Sequence, residues 1–147
     1  MKGWVLDTNV ISELRRPNPN RSVVAWVSET ASEELFTSVV CIAEIRHGIH
    51  MTSEMTKVLA LENWLVNEVR PFFDDRILPV TEDCLVVWRR LAESAERNRK
   101  PAPAADLLIA ATARHHSLAV ATRDTAPFIA AGVPVLNPFT GERFGGA

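Results

Sequence analysis

The chain contains no tyrosine. Aromatic residues interleaved with basic ones, the pattern of a stacking platform for single strands, are also absent. There is no surplus of positive charge: 16 Lys and Arg stand against 18 Asp and Glu, a net charge of −2. Any footprint for nucleic acid must therefore be local. Cysteine is scarce. Cys41 and Cys84 each fall inside an apolar-periodic segment, with no zinc-type spacing around them. Both read as reduced core thiols of a cytoplasmic protein; a disulfide between them stays open at this stage. No apolar run is long enough to span a bilayer. The greasiest stretch, residues 104–113, is short and carries Asp106. Lys2 runs at once into a short strand, so no leader peptide is expected. No glycine loop that would cradle phosphate and no Ser-His-Asp grouping can be found.

What remains describes a folded protein. Of 147 residues, 47% are hydrophobic and 23% charged, which suits one domain over residues 1–147 with a sizeable core. The tail after about residue 144 reads as disordered.

Short apolar strands alternate with helical periodicity. Strands are expected at residues 2–6, 34–38, 76–80, 118–122 and 133–136. Helices are expected at 10–16, 21–30, 39–50, 53–69, 82–99 and 104–116, with a short one ending at Ala131. Pro71 should stop the 53–69 helix, and Gly132 should cap the short one. That alternation predicts an α/β protein, a three-layer α/β/α sandwich around a mostly parallel sheet of about five strands.

Four acids, three near element ends and one within the 39–50 helix, stand where they could converge on one crevice. Asp7 ends the first strand, where α/β folds place their ligands; a plain helix cap is the alternative. Glu44 sits in Cys41-Ile42-Ala43-Glu44-Ile45, about 100° round the helix from the core line. It reads either as a border residue reaching water or as a ligand. Asp106 lies in the first turn of a buried helix, and Asp124 follows the fourth strand. Each also suits a helix N-terminus. As a set they ask for more. Two carboxylates about 4 Å apart repel by roughly 4 kcal/mol at an effective dielectric of 20. A cation between them relieves this, and hard oxygen donors select Mg²⁺ or Mn²⁺. Such an ion can hold a phosphodiester and activate water.

These residues also carry a resemblance. Val5-Leu6-Asp7-Thr8-Asn9, Ser38 with Ala43-Glu44-Ile45-Arg46-His47-Gly48, Asp106-Leu107-Leu108-Ile109-Ala110-Ala111-Thr112-Ala113, Ala121-Thr122-Arg123-Asp124 and Val135-Leu136-Asn137-Pro138-Phe139 are similar, in order, to the motifs of PIN-domain proteins. Within that family the pattern resembles the VapC/FitB-like toxins. The resemblance implies a Mg²⁺-dependent ribonuclease, a homodimer, an RNA substrate and an inhibiting antitoxin through which DNA is met only indirectly. Asp7, Glu44 and Asp106 match the family's most constant acids, and Thr122 matches a hydroxyl near its site. Thr8 and Asn9 belong to the first motif as supporting residues. The fourth position departs: the usual Asn is Asp124, and the later acid's place is Pro127. Asp124 is then the candidate fourth carboxylate.

Arg97, Arg99 and Lys100 form the densest basic run, a candidate for RNA phosphates. The same charges suit a helix C-terminus. Arg15, Arg16 and Arg46 are weaker candidates. His47 and His50 read as surface or interface residues. His115-His116 reads as cationic complement to a helix end. Two other functions stay open: an aspartyl-nucleophile phosphatase, which would want a second Asp where Asn9 stands, and a non-catalytic domain that binds a partner through the acidic crevice.

Overall fold

The computed structural model describes residues 3–147; Lys2 of the expected first strand lies outside the described residues. Strand β1 (Trp4–Leu6) is the centre of the sheet. Val5 and Leu6 are both fully buried, as a strand covered on two faces requires. Gly3 leads into it, since a Cβ there would run into the Glu34 carbonyl. The remaining strands are β2 (Leu35–Ser38), β3 (Ile77–Leu78), β4 (Ala119–Ala121), β5 (Val135–Leu136) and β6 (Arg143–Phe144). They lie in the order β3-β2-β1-β4-β5-β6. All neighbours run parallel except β5 and β6.

The sixth strand is an addition to the five expected. It is two residues long and carries no apolar pattern of its own. It pairs because Gly141, at φ 83°, turns the chain back so that the Asn137 N–H donates to the Glu142 carbonyl at 2.9 Å. Beyond it, Gly145 and Gly146 make a turn that brings the Ala147 N–H to the Phe144 carbonyl.

Helices connect the strands: α1 (Thr8–Leu14), α2 (Arg21–Glu29), α3 (Val39–His50), α4 (Met55–Trp64), α5 (Arg70–Phe73), α6 (Glu82–Arg97), α7 (Ala104–His115) and α8 (Ala126–Ala130). Side-chain caps set several starts. Asn20 accepts from the N–H groups of Ser22 and Val23, Ser38 from Val40, and Thr81 from Cys84. Gly132, at φ 74°, ends α8 as expected, with its N–H on the Ile129 carbonyl at 3.0 Å.

Two expectations need correction. Pro71 does not stop the helical run. A π turn over Leu65–Val69 joins α4 to α5, the Arg70 N–H reaching the Leu65 carbonyl. Pro71 then falls in the first turn of α5, where its missing N–H costs nothing. Nor is the apolar face of that run fully buried. Leu65, Val69 and Phe73 enter the core, while Met55, Leu59 and Val66 stay exposed.

Along the sheet, β2 and β3 lie on one side of β1, and β4 and β5 on the other. The chain thus reverses its direction of travel between β1 and β4. Strand ends flanking such a reversal leave a crevice, because the connections leave to opposite sides.

Candidate active site

Asp7 leaves β1 at this crevice and is 5% exposed. Its backbone stays tied to the sheet, the N–H donating to the Ala121 carbonyl at 3.0 Å. Its carboxylate caps α1: the Thr8 N–H donates to Oδ1 at 2.8 Å. The Thr122 hydroxyl, fully buried just past β4, donates to Oδ2 at 2.8 Å. Asn9 braces both groups, its Nδ2 lying 3.3 Å from Asp7 Oδ2 and 3.1 Å from Thr122 Oγ1. That amide stands where a phosphatase reading wants a second Asp.

The other acids approach this anchored carboxylate from three directions. Glu44, on α3, reaches in from the exposed rim, and the Thr8 hydroxyl donates to its Oε1 at 3.0 Å. Asp124 follows Thr122 in a tight turn, its N–H on the Thr122 hydroxyl at 3.0 Å. Its Oδ2 lies 3.5 Å from Asn9 Nδ2, so Asn9 spans the two aspartates. Asp106 enters from the first turn of α7 and is half-buried. Pro127 sits in the first turn of α8 and brings no carboxylate beside Asp124.

The electrostatics show that the four acids share one field. Burial pushes the Asp106 carboxyl up to about 6, and the charges of Asp7, Glu44 and Asp124 push the same way. Asp7 is raised by burial, against the lowering bonds from Thr122 and Thr8, with a further push from Asp124. Glu44 is raised by lost hydration, held back by Thr8 and pushed further by Asp7. No cation answers this charge: the ion pairs among the described residues join Arg16 to Glu13, Lys57 to Glu54 and Arg89 to Glu93. Clustered oxygen donors without a basic partner fit a hard divalent cation.

Cys41 was read from sequence only as a core thiol. It is fully buried, and its Sγ and one carboxylate oxygen each of Asp7 and Glu44 lie within 4.8 Å of one another. Burial first, then the Asp7 charge, pushes the thiol up to about 12, so it stays protonated as the floor of the site. The signal was there: Cys41 precedes Glu44 by three residues, one helical face. Arg123 was also missed. Its backbone N–H donates to Asn9 Oδ1 at 3.1 Å, and its guanidinium lies 5.0 Å from the Phe139 ring centre. The Arg97–Lys100 run does not join the acids. Arg97 ends α6, Arg99 takes φ 51°, and the Lys100 N–H returns to the Ala95 carbonyl at 2.9 Å, so the run closes a helix. Arg15 lies over Trp64, and His47 and His50 are exposed.

A mostly parallel sheet flanked by helices, with acids gathered at the carboxyl ends of its central strands, defines the class. The chain belongs to the PIN-domain family, whose family model, described as PIN domain, matches residues 4–133. It is 43% identical to the toxin FitB of Neisseria gonorrhoeae over 135 residues, 92% of this chain and 97% of that one. It is 41% identical to the VapC ribonuclease Y4jK of Sinorhizobium fredii, over 92% of this chain and 96% of the relative. The crystal structure of FitAcB from Neisseria gonorrhoeae superposes with a TM-score of 0.87, covering 92% of this chain and 97% of that one at 43% identity. A structure of FitAB bound to an IR36 DNA fragment gives 0.86 at 41% identity, covering 92% of this chain and 94% of that one.

Proposed function

We propose that this chain is a metal-dependent endoribonuclease, the toxin of a toxin–antitoxin pair. The observation that carries the reading is the gathering of Asp7, Glu44, Asp106 and Asp124 in one hollow without a compensating cation. Asp7, Asp106, Glu44 and Asp124 would hold Mg²⁺ or Mn²⁺, directly or through water. When bound, the ion supplies charge for the phosphodiester oxygens and lowers the pKa of water.

The protein's own groups do the rest. Thr122, Thr8 and Asn9 lock Asp7 in one orientation, so the site is aimed before substrate arrives. Thr8 occupies Glu44 Oε1 and leaves Oε2 free to take the proton of an attacking water. The water oxygen forms a bond to phosphorus, the P–O bond to the leaving ribose oxygen breaks, and that oxygen gains a proton from solvent. Arg123, whose backbone is bonded to Asn9, supplies the local positive charge that a chain of net −2 otherwise lacks.

The partners follow from the relatives. The FitB-type structures are complexes, one of them with DNA. On that basis this chain pairs with a cognate antitoxin and meets DNA only through it, as a homodimer working in the cytoplasm. Residues 1–147 act as one PIN-type unit. No helix among the described residues is long and apolar enough to cross a membrane.

The deciding experiment is cleavage of end-labelled single-stranded RNA by the purified protein with Mn²⁺, Mg²⁺ or excess chelator. Cutting that needs the metal and falls at least about 100-fold in Asp7→Asn and Asp106→Asn is the expected result. Equal cutting by Asp7→Asn, or by protein in chelator, overturns the reading.

A further inference from the structure

One group of metal-ligating side chains lies outside the carboxylate hollow. Cys84 is in the first turn of α6, and His115 and His116 lie at the end of α7. The two helices pack side by side, so the start of one meets the end of the other. The Cys84 Sγ and one ring nitrogen from each histidine all lie within 4.8 Å of one another. The two imidazole rings stand edge to face, their centres 4.9 Å apart.

We propose that Cys84, His115 and His116 form a second metal site, for a borderline-soft cation of the Zn²⁺ class, that ties α6 to α7. The donors are of the type such ions prefer: one sulfur and two imidazole nitrogens, with water as the fourth ligand. With Zn–S about 2.3 Å and Zn–N about 2.0 Å, ligand atoms of a tetrahedral site lie about 3.5 Å apart. Both histidines are exposed, and among the described residues neither imidazole makes a hydrogen bond. They are free to swing inward onto the thiol. Cys84 is buried and held, its Sγ accepting from the Thr81 hydroxyl at 3.3 Å, so one ligand is already fixed. On binding, the thiol releases its proton to solvent and the histidines bind as neutral rings.

The site is separate from the carboxylates. His115 lies nine positions beyond Asp106 along α7, a rise of roughly 14 Å. The two ends of one helix thus differ in donor chemistry, all oxygen at the first turn and sulfur with nitrogen at the last. A cation clamping the far end of α7 to α6 steadies the helix that delivers Asp106. The proposal stands whether or not the chain cuts RNA.

Cobalt(II) added to chelator-treated, full-length protein tests it. Cobalt takes the same donors and shows an intense near-ultraviolet band when bound to thiolate. The expected result is that band at one equivalent per chain, kept in Asp7→Asn and Cys41→Ser and lost in Cys84→Ala, His115→Gln and His116→Gln. Zn²⁺, but not Mg²⁺, should displace the cobalt and raise the Tm of wild type but not of His116→Gln. Should Cys84→Ala fail to fold, the two exposed histidine variants decide. No thiolate band in wild type, or a band that survives both histidine substitutions or disappears in Cys41→Ser, overturns the proposal.

Discussion

At the scale of single residues, Thr122 does the most with the fewest atoms. Its hydroxyl donates to Asp7 and accepts from Asn9 and from the Asp124 backbone. Thr122→Val keeps the shape and removes all three bonds. RNA cleavage should fall roughly 10- to 100-fold, as for other groups that orient metal ligands. Thr122→Ser should restore it, and circular dichroism should report an unchanged fold. Asp106 makes a prediction about pH. Burial, then the charges of Asp7, Glu44 and Asp124, push its carboxyl up to about 6 from the ordinary 3.8. A raised carboxyl favours the folded state below its unfolded pKa and loses that contribution as pH rises through the folded one. Metal-free wild type should therefore lose Tm relative to Asp106→Asn between about pH 4 and pH 6. Mn²⁺ should offset the loss above pH 6, and its affinity, followed by calorimetry, should weaken as pH drops through 6. A Tm difference that stays flat across this range would remove Asp106 from the shared field.

At the scale of elements, α3 depends on how it begins. Ser38 Oγ accepts the Val40 N–H at 3.0 Å, and the helix then presents Cys41 and Glu44 to the same hollow. Ser38→Ala should cost about 1 kcal/mol in urea unfolding, and should weaken Mn²⁺ binding because Glu44 is carried by the first turns. Elements like this were legible in the sequence because their ends carry local signals. Ser38 and Gly132 each mark a boundary, and Asp7 and Asp106 sit at such boundaries; Glu44 instead lies within α3 and was marked by the apolar residues around it. What stayed hidden depends on encounters between distant segments. The π turn that carries the chain past Pro71 arises from packing Leu65, Val69 and Phe73 into the core, against the local preference of proline. Cys84 and the His115-His116 pair are separately bland; only the packing of α6 on α7 brings them together. Arg143 and Phe144 become a strand only because β5 already has a free edge.

At the scale of the whole molecule, the outer face of α4 and the turn after it leave Met55, Leu59 and Val66 more than half exposed. A run of this kind is a liability in a monomer. The proposed homodimer should sediment at about twice 16.3 kDa, and Leu59→Glu should shift it toward the single-chain mass if this face carries the contact. An unchanged mass in the variant would move the contact elsewhere.

The strand order has a consequence for synthesis. The first strand made, β1, lies beside β4, which is made more than a hundred residues later. Until Ala121 and Thr122 have emerged, Asp7 has neither its sheet neighbour nor its hydroxyl donor. A nascent chain that has not yet released this segment therefore carries no finished blade. The carboxylate hollow is therefore assembled late, once the last quarter of the polypeptide is free to fold.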